Sequence, residues 1–306
     1  MTDEWQTVQK VTRRKRPQRR RNRMQEHQTG HTHKPVDPKL LEKAVAAQLR
    51  ATVDSTDSAT QDQIEAILET CLAELRGSRY WERLRQVLDQ RISAALGSIV
   101  CYGIGNFGTK RPSAPLWQLA LAILMREHFG SGESSKHETV DMYYFEPLMT
   151  KEESKVLQNL GITIINQNER GKRTIEKDNN DIALFFMPHC PMSLYTNLFH
   201  TNWDFLQKVL IFGNSLDNYI LHNHITTDLH KQQAMTILET LQPLWKVDQL
   251  PIHKKDIEEL AAYFEQAFND SSVTSFVTIT NSTSTGWPER PPLDLPVNYD
   301  GEGEVL

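Results

Sequence analysis

The chain has 306 residues, of which 39% are hydrophobic and 24% charged, with a net charge of −5 and three cysteines. That length suffices for one large or two small domains, and no apolar run approaches the ~20 residues that a membrane-spanning helix needs. Cys71, Cys101 and Cys190 form no C-x-x-C pair, which excludes a disulfide framework and points to a reduced cytoplasmic or nuclear compartment.

The start, Met1 to Gln9, lacks the apolar centre of a secretory signal. The glycosylation acceptor patterns at Asn269 and Asn281 are therefore expected to be unused. Positive charge is concentrated in Arg13, Arg14, Lys15, Arg16, Arg19, Arg20 and Arg21, leaving the remainder acidic. The run has no apolar residue to bury, so residues 1–37 are expected to form a disordered basic arm. It reads either as a nuclear address or contact for nucleic acid or another anionic partner, or as a solvated tail.

A helical lead-in is expected over 38–97. Leu41, Val45 and Leu49 lie four apart; after a polar linker at Thr52–Thr60, Ile64, Ile67, Leu68, Cys71, Leu72 and Leu75 form an apolar stripe. Trp81, Leu84, Leu88 and Ile92 form another, and Gly77 and Gly97 punctuate the ends.

From residue 98 to 280, five short apolar runs each end in small, polar or proline residues. They are Ile99–Tyr102, Val140–Phe145, Ile162–Ile165, Leu184–Phe186 and Val209–Phe212. Runs of this length separated by helix-length segments predict buried parallel strands. Helices are predicted over Leu116–Phe129, apolar nearly all round and so interior, and from the Thr150/Glu153 capping box to Gly161. Others are predicted over Leu194–Leu206, with a break near Thr201–Asn202, and near 229–242 and 254–268. Ser272–Thr280 reads as a final strand at the sheet edge. The tail over 281–306, rich in proline and glycine, is expected to be disordered. The expected fold class is α/β: a Rossmann-like, mostly parallel sheet of five or more strands with flanking helices, without internal repeats.

In an open parallel sheet, ligands bind outside the carboxyl ends of the strands, where all five polar clusters fall. Gly103-Ile104-Gly105-Asn106-Phe107-Gly108 matches G-x-G-x-x-G after a strand, so Gly103, Gly105, Asn106 and Gly108 could cradle an anionic group. Pro112 and Pro115 intervene before the helix, unlike in the dinucleotide fingerprint, and a structural turn is the other reading. Glu146 ends the second strand, where an acid accepts hydrogen bonds from ribose, or else is a solvated carboxylate. Asn168 follows the third strand. After the fourth, Met187-Pro188-His189-Cys190-Pro191 sets a base and a thiol on stiff backbone. Pro188, His189 and Cys190 read as pocket wall, as a metal or haem contact, or as reactive groups. His200, His222 and His224 lack metal-ligand spacing. A helix N-terminus near Ser193 predicts a Cys190 thiol more reactive than Cys71 or Cys101. Gly213, Asn214 and Ser215 complete the crevice; Asp217 stands where G-x-S-x-G needs glycine.

The ordered set Tyr102-Gly103-Ile104-Gly105-Asn106-Phe107, Gln118-Leu119-Ala120, Phe145-Glu146-Pro147, Met187-Pro188-His189-Cys190, Leu194-Tyr195, Asn202-Trp203, Gly213-Asn214-Ser215 and Phe268-Asn269-Asp270-Ser271 resembles the sensitivity-to-red-light-reduced family over roughly 85–280. Glu146 departs from the family's aspartate. The resemblance implies a regulatory protein of nucleus and cytoplasm, in plants tied to light input into the circadian clock, in animals to clock-gene expression and haem biosynthesis. It implies protein partners in clock signalling, none identified; the short apolar runs, not the resemblance, predict no membrane association. It carries over no catalytic residues. The competing expectation is an enzyme, such as a methyltransferase with a sulfonium cofactor on the glycine loop, ribose on Glu146 and substrate near Pro188–Pro191. Cys101 stands where such enzymes often carry an acid. The cofactor is left open between a nucleotide-type ligand and haem.

Overall fold

The computed structural model describes residues 58–130, 140–176, 180–222, 228–253, 256, 261–277 and 287–293. All lie in one compact unit, 49–306; the basic arm and most of the first predicted helix fall in a second, 1–48, outside the described residues.

Burial on both faces explains the unbroken apolar strands. Along β1 (Leu96–Tyr102), Ile99 and Cys101 enter one hydrophobic layer, Val100 and Tyr102 the other. The same division separates Leu184 and Phe186 from Phe185 and Met187 on β4 (Ile182–Met187), and Leu210 and Phe212 from Ile211 on β5 (Val209–Asn214). A strand covered on both sides gains nothing from polar alternation.

With β2 (Asp141–Phe145), β3 (Thr163–Ile164), β6 (Trp245–Gln249) and β7 (Ser271–Phe276), the sheet has the order β3-β2-β1-β4-β5-β7-β6. The first five strands are parallel, in the Rossmann order, and β1 and β4 flank the point where the order reverses. The expectation for the last strand is corrected. β7 does not form the edge but lies antiparallel between β5 and β6, pairing Phe212 with Val273 and Val247 with Thr274. Both its faces carry buried side chains, Val273 in one layer and Phe276 in the other, which an edge strand would leave half exposed.

The first layer holds α1 (Gln61–Arg76), α2 (Arg79–Arg91), α3 (Ala114–Gly130), α4 (Lys151–Asn159) and α8 (Ala261–Phe268). Thr60 and Gln63 close a capping box on α1, as Thr150 and Glu153 do on α4. All ten residues Leu116–Met125 of α3 are buried because α1 and α8 pack over it. Its one buried amide, Gln118, donates to the Ala267 carbonyl at 2.9 Å, closing the end of α8.

The second layer holds α5 (Met192–Thr201), a 3-10 turn at Trp203–Lys208, α6 (Leu216–His222) and α7 (Leu229–Leu241). The break near Thr201–Asn202 is real: Asn202 ends α5 and its side chain turns away to the segment after β3. That segment, the strap Ile165–Glu176, carries no helix and crosses the second face as extended and turning chain. Asn197 Nδ2 holds the Arg170 carbonyl at 2.8 Å; Asn202 holds the Arg173 carbonyl at 2.8 Å and accepts from Ile175 N at 2.9 Å.

Residues 287–293, within the stretch expected to be a disordered tail, are ordered against this layer. Trp203 Nε1 donates to the Pro288 carbonyl at 2.9 Å, Arg290 meets Asp204 at 2.6 Å, and Trp287 and Leu293 pack on the core. A tryptophan and a leucine are enough anchor to outweigh the proline-rich composition around them.

Candidate functional site

The polar clusters do converge at the carboxyl ends of β1, β2, β4 and β5, and the chain fills them itself. Gly105, at φ 90°, turns its N–H to the Glu146 carboxylate at 2.9 Å, and Leu148 N donates to the other oxygen at 3.1 Å. Glu146 is 9% exposed, and burial raises its pKa despite these two bonds. It ties the loop after β1 to the loop after β2.

Glu153, fully buried at the third position of α4, fills the rest of the glycine loop. Its carboxylate accepts from Phe107 N, from Gly108 N at 2.8 Å, from Asn106 Nδ2 at 3.1 Å and from Thr150 N at 2.6 Å. These are the donors that a glycine loop offers to a ligand's phosphate. A side chain of the same protein occupies that place. The sequence shows Glu153 only as a capping residue; its contact with a loop some 46 positions earlier has no local signal.

His189 and Cys190 face different surroundings. His189, at φ 56°, gives its backbone N–H to Asn214 Oδ1 at 2.7 Å, and its Nε2 lies 3.1 Å from the carbonyls of both Gln266 and Ala267. Carbonyls only accept, so Nε2 carries the hydrogen, an assignment made from the partners. The ring closes the end of α8. Cys190 is 1% exposed with its Sγ 3.4 Å from the Tyr102 carbonyl, and burial pushes its thiol well above the ordinary range. This corrects the expectation of a reactive Cys190: burial, with the nearby Glu146 charge adding to it, outweighs the helix N-terminus. Cys71 and Cys101 are equally buried, the first pushed up to about 12. Among the described residues no three His, Cys, Asp or Glu side chains form a metal-sized group.

Gly213, Asn214 and Ser215 mesh with the last turn. Tyr195 donates to the Met187 carbonyl and accepts from Asn214 N at 3.0 Å; a Cβ on Gly213 would lie 2.4 Å from its hydroxyl oxygen. Asn214 Nδ2 donates to Tyr219 at 2.8 Å, and Tyr219 donates to the Cys190 carbonyl. Ser215, 1% exposed, accepts from Gln249 at 2.9 Å, and its N–H reaches the Asp270 carbonyl at 3.1 Å. Asn168 lies apart, exposed on the strap, where it accepts from Arg170 N at 2.8 Å. Pro188 keeps the β4 turn rigid beside His189. The basic-arm residues Arg13 to Arg21 lie outside the described residues.

Fold and site together define a Rossmann-like α/β protein whose crevice is braced by its own carboxylates, amides and tyrosines. The chain belongs to the SRR1 domain family, whose model matches residues 73–275. It is 32% identical over 176 residues to Protein SENSITIVITY TO RED LIGHT REDUCED 1 of Arabidopsis thaliana, covering 53% of this chain and 59% of that one. An SRR1-like protein of Mus musculus is 38% identical over 125 residues, covering 40% and 46%. The chain thus spans about half the length of the curated relatives it matches. Among solved structures, the SAH-bound Podospora anserina methyltransferase PaMTH1 is 12% identical with a TM-score of 0.35, covering 81% of this chain and 100% of that one. A likeness of that size carries no weight for activity.

Proposed function

We propose that this protein is a regulator of the SRR1 type, acting in the input to a circadian clock by contact with protein partners, in cytoplasm and nucleus. Its family membership and the name of the Arabidopsis relative support the regulatory reading. The geometric observation that carries it is Glu153: the loop that would hold a cofactor's phosphate holds a buried carboxylate of the chain itself. Bracing of this kind suits a rigid scaffold more than a site that loads and releases a nucleotide.

The alternative, a methyltransferase with a sulfonium cofactor, needs Glu146 to leave Gly105 and Leu148 for ribose hydroxyls. Haem handling draws no support from the buried Cys190 or from His189, whose ring is committed to α8. Titration calorimetry against S-adenosylmethionine, NAD and ATP is expected to show no saturable heat. Micromolar binding of any of them would favour the enzyme. The regulatory role is tested by expressing this chain in Arabidopsis thaliana lacking its relative: restored red-light sensitivity is expected, and a folded protein that restores nothing refutes the reading. For the nuclear share, deleting residues 1–36 from a fluorescent fusion is expected to lower the nuclear signal; an unaltered distribution removes the basic run as its address.

A further inference from the structure

An open sheet has two edges, and each offers unpaired main chain to a passing strand. Here the two are unequal. β3, at one edge, pairs through Thr163 and Ile164 only, whereas β6, at the other, is five residues long. Two bonds to β7 bracket β6 and fix its phase: Leu250 N donates to the Ser271 carbonyl at 3.0 Å and Val277 N to the Leu244 carbonyl at 2.8 Å. Lys246 and Asp248 therefore turn their main chain to β7, and Trp245, Val247 and Gln249 turn theirs outward. No described residue bonds these outward groups.

The side chains of β6 divide between the two faces of the sheet. Trp245 and Val247 pack into the second layer, and Gln249, on the same face, reaches Ser215. Lys246 and Asp248 lie on the other face. Arg91 holds Asp248 by Oδ2 at 2.6 Å, leaving Oδ1 of a side chain that is 30% exposed for a second donor. Lys246 is exposed and bonded to no described residue. A lysine on an edge strand ordinarily keeps other strands away. It does not do so against a strand that brings an acid to face it.

We infer that β6 docks on β6 of a second copy of this chain, antiparallel about a two-fold axis at Val247, joining two sheets into one. In that register Val247 faces its own counterpart, Trp245 faces Gln249, and Lys246 faces Asp248 twice per dimer. The residues whose main chain points outward are the ones brought into hydrogen-bonded pairs, and Lys246 and Asp248 fall on the pairs between, where side chains approach most closely. Charge sets the register. Moving the axis to Lys246 or to Asp248 puts like charges directly opposite, which is destabilising. Such an interface is isologous and closes at two copies, because each chain spends its one long edge on it. The inference is independent of the clock-input role, and the edge lies away from the glycine loop after β1.

The test is sedimentation of the full chain over a concentration series. A reversible equilibrium between monomer and dimer is expected at tens to hundreds of micromolar, as suits a contact at the small, transient end of interface sizes. Val247→Pro removes the N–H that each copy gives at the axis and leaves every bond to β7 in place, since an edge strand tolerates proline on its open side. It is expected to weaken the dimer about tenfold or more, with the thermal transition unchanged. Mixing tests the charge pairing. Lys246→Glu alone, and Asp248→Lys carrying Arg91→Glu to keep an internal ion pair, are each expected to stay monomeric, while their equimolar mixture forms a one-to-one dimer. The proposal is overturned if the wild type stays monomeric throughout, if it grows past two copies, if folded Val247→Pro associates like the wild type, or if the mixture associates no better than its components.

Discussion

Glu153 concentrates more of the crevice's polar order than any other side chain. Its charge is fully buried and met by donors from Phe107, Gly108, Thr150 and Asn106. Glu153→Ala leaves several of these donors without a partner and is expected to lower stability by about 3 kcal/mol. Glu153→Gln should fall between, because its amide turns a donor toward an N–H. Urea unfolding measures both, and an alanine variant within about 0.5 kcal/mol of wild type would mean that the loop is held by something else. Cys190 gives a second residue-scale expectation. Its alkylation by iodoacetamide should be as slow as that of Cys71 and Cys101 in the native protein, all three rising together in denaturant. Selective labelling of Cys190 before unfolding would contradict its burial.

At the scale of elements, Tyr195 couples β4 to β5 by bonding Met187 and Asn214, and Gly213 gives it room. Gly213→Ala must displace that hydroxyl and is expected to cost about 2 kcal/mol or more. Combined with Tyr195→Phe, the two losses should fall well short of additive in a double-mutant cycle; full additivity would show that the alanine acts elsewhere. β1, β4 and β5 are legible in the sequence because burial on both faces leaves Ile99–Tyr102, Leu184–Met187 and Val209–Phe212 without a charged position. The turn residues that end them are equally legible, being glycine, proline and asparagine. β6 is not: Trp245 and Val247 are its only apolar positions, between Lys246 and Asp248, too short a pattern to stand out. Nor are the partners of the site residues. His189 meets carbonyls 77 and 78 positions later, and Glu153 a loop 45 and 46 positions earlier, pairings set by how helices dock rather than by anything local. The clusters could thus be placed at one end of the sheet, while their mutual satisfaction could not be foreseen.

Across the whole molecule, two carboxylates push acid stability in opposite directions. Burial works to raise Asp256, but Arg83, at 2.8 Å, and His253 N outweigh it and hold it below its ordinary value. Its contribution is present above the ordinary aspartate range and is lost as pH falls through the lowered value. Asp256→Asn is therefore expected to be less stable by about 2 kcal/mol at neutral pH, converging with wild type in acid. Glu146 is raised by burial, so its contribution is present below the ordinary glutamate value and is lost as pH rises through the folded one. Glu146→Gln should flatten the decline of the urea midpoint with pH in that window. If the Asp256→Asn gap stays constant down to pH ~2, below the ordinary aspartate value, the Arg83 pair is not the source of the difference.

The place of β7 bears on how the chain comes off the ribosome. Synthesis proceeds at about 5–20 residues per second, and β5 emerges some sixty positions before Ser271–Phe276 reach it. During that interval Val209–Asn214 is paired with β4 on one flank only, while its open flank shows bare main chain between Leu210, Ile211 and Phe212, a template for joining a stranger's strand. β6 emerges earlier than the one strand that connects it to the sheet. A message cut short ahead of the codon for Ser271 therefore yields an adhesive half-product rather than a smaller working domain, and surveillance by chaperones falls on the interval between the emergence of β5 and that of β7.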